Sequence, residues 1–144
     1  MRRRKAQSGQ ALIEFAMIFT LLMMLILGVI DFSLLTEKAM VIDEAAFAAA
    51  EYGAASGNSS NFAGMRTVAT NSASGIAGFV ATASTWCACS PGGAAVGCTS
   101  TCSSYGKPIE YVQVITSATA SLLFGFTGIP LTVPLRGVCI LRVQ

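Results

Sequence analysis

The sequence predicts an α+β protein: a long N-terminal transmembrane helix extending outward, a second amphipathic helix, and a small antiparallel sheet with a cysteine-rich loop. Three observations predict it. Residues 11–30 are twenty positions with a single charge, Glu14, and Asp31 closes the run. Good helix formers then continue to Tyr52 without a proline or a glycine. All four prolines lie at 91 or beyond, in the part of the chain where apolar residues recur at every second position.

The apolar run comes first. Twenty helical residues cross a hydrocarbon core of roughly 30 Å. Arg2, Arg3, Arg4 and Lys5 stand just before it, which orients the N-terminus toward the cytoplasm and the remainder outward. A secretory signal would end in a small-x-small cleavage site. Gly28-Val29-Ile30-Asp31-Phe32 offers none, so the segment is expected to stay in the membrane. The organisation is then a basic leader at 1–9, a transmembrane and extended helix at 10–52, and an exported α+β domain at 53–144.

Composition supports this division. Charged residues make up 11% of the 144 and mean hydropathy is +0.66, as expected of a membrane protein. The net charge is +2. Four of the nine basic residues belong to the leader, so residues 10–144 carry five basic against seven acidic side chains, a balance of −2. The basic character is a topology signal, and nucleic-acid binding, which needs a basic face on a folded element, is not expected.

Past the membrane, residues 32–52 place Val41, Ile42, Ala45, Ala46, Ala48, Ala49 and Ala50 among Asp43, Glu44 and Glu51. One helix from Gln10 to Tyr52 would be about 65 Å long, about twice a bilayer. Its outer half carries a small-residue face on which other helices can approach closely. A turn cluster at 53–61 supplies an N-cap at Ser60 or Asn61. Phe62, Met65, Ala69, Ala73, Ile76, Val80 and Ala83 then recur at three and four, which predicts an amphipathic helix over 62–82.

The period changes near Ala83. A first strand is predicted at 85–89 and a Gly/Ser/Cys-rich loop at 90–107. A strand at 111–120 has Val112, Val114, Ala118 and Ala120 on one face. A last strand has Val133, Leu135, Cys139, Leu141 and Val143 on one face against Arg136 and Arg142. Pro134 confines that strand to an edge or to an early position. Residues 121–131, with Leu122, Leu123, Phe124, Phe126, Ile129 and Leu131, read either as an apolar surface for the membrane or a neighbouring subunit, or as a loop folded over its own sheet. The second reading is preferred.

Chemistry is sparse. The chain has no histidine, which removes the commonest general base and metal ligand. Without paired carboxylates, a phosphate-binding glycine loop or a nucleophile elbow, no enzyme, cofactor or metal is expected. Cys87, Cys89, Cys98 and Cys102 cluster on the outward side, where disulfides persist. Two bonds are expected among them in any of three connectivities. A zinc site built from Cys-x-Cys and Cys-x3-Cys is the rival reading. Cys139 reads as a buried free thiol acting as a small hydrophobe.

Glu14 has two readings. It could mark the inner edge of a plain anchor. Alternatively, cleavage after Gly9 would give Gln10 a free amine of pKa about 8, mostly charged at neutral pH. That amine could pair with Glu14 of a neighbouring subunit. At ~4 Å and an effective dielectric of about 20 the attraction is ~4 kcal/mol before desolvation, so the pair would serve register more than stability. A pair within one helix, Gln10 with Glu14 four residues on, competes with it.

A basic leader ending in Gly9, followed by Gln10-Ala11-Leu12-Ile13-Glu14-Phe15 and a long apolar helix, resembles the type IV pilins and pseudopilins. Over residues 8–52, Ser8 through Ala16, Gly28 through Phe32 and Ala45 through Ala50 are more closely similar to the TadE-like family, minor pseudopilins of tight-adherence (Flp) pilus systems. The resemblance implies cleavage by a prepilin peptidase between Gly9 and Gln10, with Gly9, Gln10, Glu14 and Phe15 forming the cleavage and assembly motif. It also implies residence in the inner (cytoplasmic) membrane with the C-terminal domain outside. The implied partners are the major pilin, other minor pseudopilins and the inner-membrane assembly platform. Phe47 and Ala48 depart from the family pattern, which usually places an arginine there. The competing hypothesis is an uncleaved single-span protein that displays a disulfide-stapled binding or adhesive domain.

Overall fold

The computed structural model describes residues 4–103, 106–125, 128 and 130–143, with side chains from Gly9 onward. Arg2, Arg3, Phe126 and Ile129, which entered the readings above, lie outside the described residues. Helix α1 spans Arg4–Ala54, beginning earlier than the predicted Gln10 and running unbroken through Gly9. Helix α2 spans Phe62–Ser72. Four strands follow: β1 Val80–Ala88, β2 Ala95–Val96, β3 Ile109–Ser121 and β4 Thr132–Arg142. They form one sheet in the order β2-β1-β3-β4, antiparallel throughout.

Two further regions differ from expectation. Helix α2 stops at Ser72 rather than at 82. The spacing of three and four continues through Ile76 and Val80, but Gly75 and Gly78 adopt φ of 96° and 70°, where glycine alone is unstrained. The chain turns there and enters β1 five residues before the predicted start at 85. Propensity favoured neither outcome, and the turn glycines decide it. The second difference is inside the predicted 90–107 loop, which contains the short β2 and a Cys102↔Gly106 bridge.

The entry to α2 is as expected at Asn61. Its Oδ1 accepts from the Gly64 amide at 2.9 Å, satisfying one of the unpaired N–H groups of the first turn. Its Nδ2 donates to Tyr52 Oη at 2.9 Å, tying the start of α2 to the end of α1.

The core lies between the outer half of α1, helix α2 and one face of the sheet. Ile42, Ala45, Ala46, Ala49 and Ala50 are almost wholly buried, with Met65, Ala69, Val112 and Val114. Small side chains on α1 let the sheet approach closely, so the alanine face is occupied by this chain's own sheet and α2. It is not left open for a neighbouring helix. The approach is closest at two glycines. A Cβ on Gly53 would lie 2.9 Å from Val112 Cγ1, and one on Gly137 would lie 2.9 Å from the Ile42 carbonyl oxygen.

The alternation on β3 and β4 falls as the sequence predicts. Val112, Val114, Ala118 and Ala120 are buried, and β4 is an edge strand, which accommodates Pro134. Thr116, also buried on that face, is a polar member that the pattern did not reveal. Its Oγ1 donates to the Ile42 carbonyl at 2.9 Å and lies 3.4 Å from that of Gly137. On the opposite face Trp86 stacks on Tyr111 at 4.7 Å, a directly opposed cross-strand pair.

Helix α1 and strand β3 run side by side in opposite directions. Gly53 meets Val112, Ile42 meets Thr116, and Asp31 meets Leu123 and Phe124. From residue 31 to 53 the helix rises about 33 Å, and from 112 to 123 the strand covers about 36 Å. The matched lengths place the β3–β4 connection beside the end of the apolar run. They place the cysteine loop at the far end of the domain.

Candidate functional site

Among the described residues, nothing packs against the apolar first half of α1. Leu12, Ile13, Phe15, Met17, Ile18, Leu21 and Val29 are each more than 60% exposed. The helix is long and apolar enough to cross a membrane. In water such a surface would be strongly unfavourable, whereas hydrocarbon is its matching solvent. Polar groups inside the run are satisfied locally. Thr20 Oγ1 donates to the Ala16 carbonyl at 2.8 Å, which lowers the cost of burying its hydroxyl. Phe15 and Phe19 stack at 5.8 Å on one face.

Gly9, Gln10, Glu14 and Phe15 all sit exposed on this segment. Nothing lies within 4 Å of a Cβ built on Gly9. Packing therefore does not require glycine there, although glycine within a helix costs about 1 kcal/mol relative to alanine. Gln10 Nε2 reaches Glu14 Oε1 at 3.5 Å, the long limit of a hydrogen bond. In this uncut, single chain the local i to i+4 pair is the one formed.

At the other end of the run stands a residue that sequence reasoning noted only as a boundary. Asp31 is 6% exposed, between Ile30 and the outward-facing Phe32. Its two carboxylate oxygens accept from the Leu123 amide at 2.8 Å and the Phe124 amide at 3.1 Å. A buried carboxylate needs such donors, and bonds to a charged acceptor are stronger than neutral ones. No periodicity could have revealed a partner 92 residues away. The available signal was an acid at the edge of an apolar run together with an uncharged apolar loop.

The cysteines pair as Cys87–Cys98 and Cys89–Cys102, the interleaved choice among the three connectivities. With the sulfurs bonded to one another, the rival zinc set is not assembled. Cys87 is wholly within the sheet, opposite Glu110 on β3, so the staples fasten the distal loop to β1. Between that loop and β3 is a groove of about 680 Å³ edged by Thr99, Thr101, Lys107 and Glu110. Cys139 is a free thiol, half-buried on the inner face of β4, and burial pushes its pKa up.

No curated protein and no solved structure matches the chain. Residues 9–51 match the family model described as TadE-like protein, so the likeness lies along the long helix, from Gly9 to Glu51, and does not extend to the sheet.

Proposed function

We propose that the protein is a non-catalytic minor pseudopilin that takes part in assembling a tight-adherence (Flp) pilus. One observation carries the reading: the family match starts at Gly9, on a helix whose next twenty or so residues find no partner among the described residues of the chain. In this reading a prepilin peptidase cuts between Gly9 and Gln10. The new amine then faces Glu14 of an adjacent subunit while apolar helices pack side by side in the inner membrane. The major pilin, other minor pseudopilins and the assembly platform are the partners, and the disulfide-stapled domain faces outward. The local Gln10–Glu14 contact is long and exposed, so it offers little resistance to that exchange.

N-terminal sequencing of the membrane-derived protein tests the cut. The expected first residue is Gln10 or its cyclised form. A chain still beginning at Met1 would sink the pseudopilin reading and leave an uncleaved one-span display protein. Gly9→Leu is expected to block processing while insertion persists, since insertion follows hydropathy and flanking charge. Glu14→Ala is expected to insert and to be processed, yet to be missing from pili.

A further inference from the structure

We propose that the described ends of the connection between β3 and β4, residues 122–125 and 130–131, are a second membrane contact, seated in the lipid–water interface of the outer leaflet and held there by Asp31. Position, composition and continuity argue for this. Asp31 stands at the outer end of a run that spans about the thickness of the hydrocarbon core, and its hydrogen bonds to the Leu123 and Phe124 amides bring the loop to that level. The Leu122 amide donates to the Leu131 carbonyl at 2.9 Å, which joins the two ends of the loop. No charged residue occurs between Glu110 and Arg136, so no charged side chain in this end of the hairpin resists leaving water.

The described residues of the loop do not fold over the sheet. Leu123 is 67% and Leu131 58% exposed, and Phe124 is partly exposed. Beside them on α1, Val29, Ile30 and Phe32 are exposed as well. The loop therefore extends the membrane-facing surface of the helix sideways at one depth. An apolar patch continuous with a membrane span calls for the same solvent as the span. The loop also covers the Asp31 carboxylate, which would otherwise face the hydrocarbon edge unpaired. Lipid is the occupant, and the consequence is orientation: a helix alone leaves the domain free to spin about its axis, whereas a second contact fixes which face looks at the membrane.

The test uses the full chain in phosphatidylcholine–phosphatidylglycerol vesicles. Trp86 is the only tryptophan and lies near the distal end of the sheet, so the parent protein is the internal control. A Leu123→Trp reporter in a Trp86→Phe background is expected to emit at shorter wavelength than in water. Brominated phosphatidylcholine should quench it and aqueous iodide should not, while Trp86 in the parent should be indifferent to brominated lipid. Adding Asp31→Ala to the reporter should reduce the lipid quenching, with both disulfides retained as evidence of an intact fold. Iodide quenching without lipid quenching would overturn the proposal. So would emission that depends on protein-to-lipid ratio, which would indicate a second copy on the loop. Unchanged lipid quenching in the Asp31→Ala variant would overturn the role of Asp31. None of these readouts depends on cleavage after Gly9, so this proposal and the pseudopilin reading can fail separately.

Discussion

Replacing Gly137 by alanine should loosen the seam between helix and sheet. A Cβ there would sit 2.6 Å from Thr116 Oγ1, 2.7 Å from Asp43 Oδ1 and 2.9 Å from the Ile42 carbonyl oxygen. The Asp43 side chain can swing away. The Ile42 carbonyl is helix backbone and cannot move without shifting α1. Overpacking of a tight contact costs about 1–3 kcal/mol, and displacing the Thr116 hydroxyl forfeits its bond to Ile42, worth about 1 kcal/mol net. Against this, alanine recovers roughly 0.5–1 kcal/mol of glycine's chain entropy. The balance is a loss of roughly 1–3 kcal/mol. Urea unfolding of the outer domain in detergent micelles, followed by Trp86 emission, would read it as a midpoint lowered by ~1 M for a slope near 2 kcal/mol/M. Thr116→Ala removes one of the three colliding atoms. The double variant should therefore be more stable than the sum of the two single losses by about 1 kcal/mol. A Gly137→Ala protein within 0.3 kcal/mol of the parent, or strict additivity in the cycle, would refute the reasoning.

Four further outcomes follow from the outer domain. Cys87→Ser should release one thiol, at Cys98 rather than Cys102, identified by alkylation and fragment mass. The double variant Cys89→Ser, Cys102→Ser opens a loop with a sequence separation of 13 and should lose about 2–3 kcal/mol of stability toward urea. Asn61→Ala removes the cap on Gly64 and the donor to Tyr52, and should cost about 1 kcal/mol by the same assay. Burial raises the Cys139 pKa, so the fold favours the protonated thiol. Its alkylation profile should lie at higher pH than in urea-unfolded protein, and the associated stability should decline as pH rises past the ordinary thiol value.

What could be read from the chain followed from local physics. The apolar run, the helix beyond it, the period-two strands and the restriction of Pro134 to an edge or an early strand position each need only nearby residues. The cap was likewise narrowed to Ser60 or Asn61 before a helical pattern, and the fold uses Asn61. The misses are of two kinds. The overrun of α2 past Ser72 shows helical spacing surviving by coincidence in a segment that Gly75 and Gly78 turn away. The roles of Asp31, Thr116 and Gly137 depend on contacts that only the folded chain makes. The cysteine pairing was undetermined for the same reason, because loop entropy scarcely distinguishes spacings of 11 and 13. At the N-terminus, Gly9 and Glu14 stood out because they violate the rules for a plain apolar helix. In the folded chain both lie exposed on α1.

The pinning of α1 to β3 at three levels makes the chain between residues 31 and 53 a gauge of fixed length. Inserting or deleting one residue between Asp31 and Ile42 would rotate everything membrane-side of it by about 100°, turning the acid away from its two amides while the upper fastenings held. Substitutions on this stretch can be absorbed one at a time, whereas a change in residue count swings the anchored base out of phase with the tip it carries.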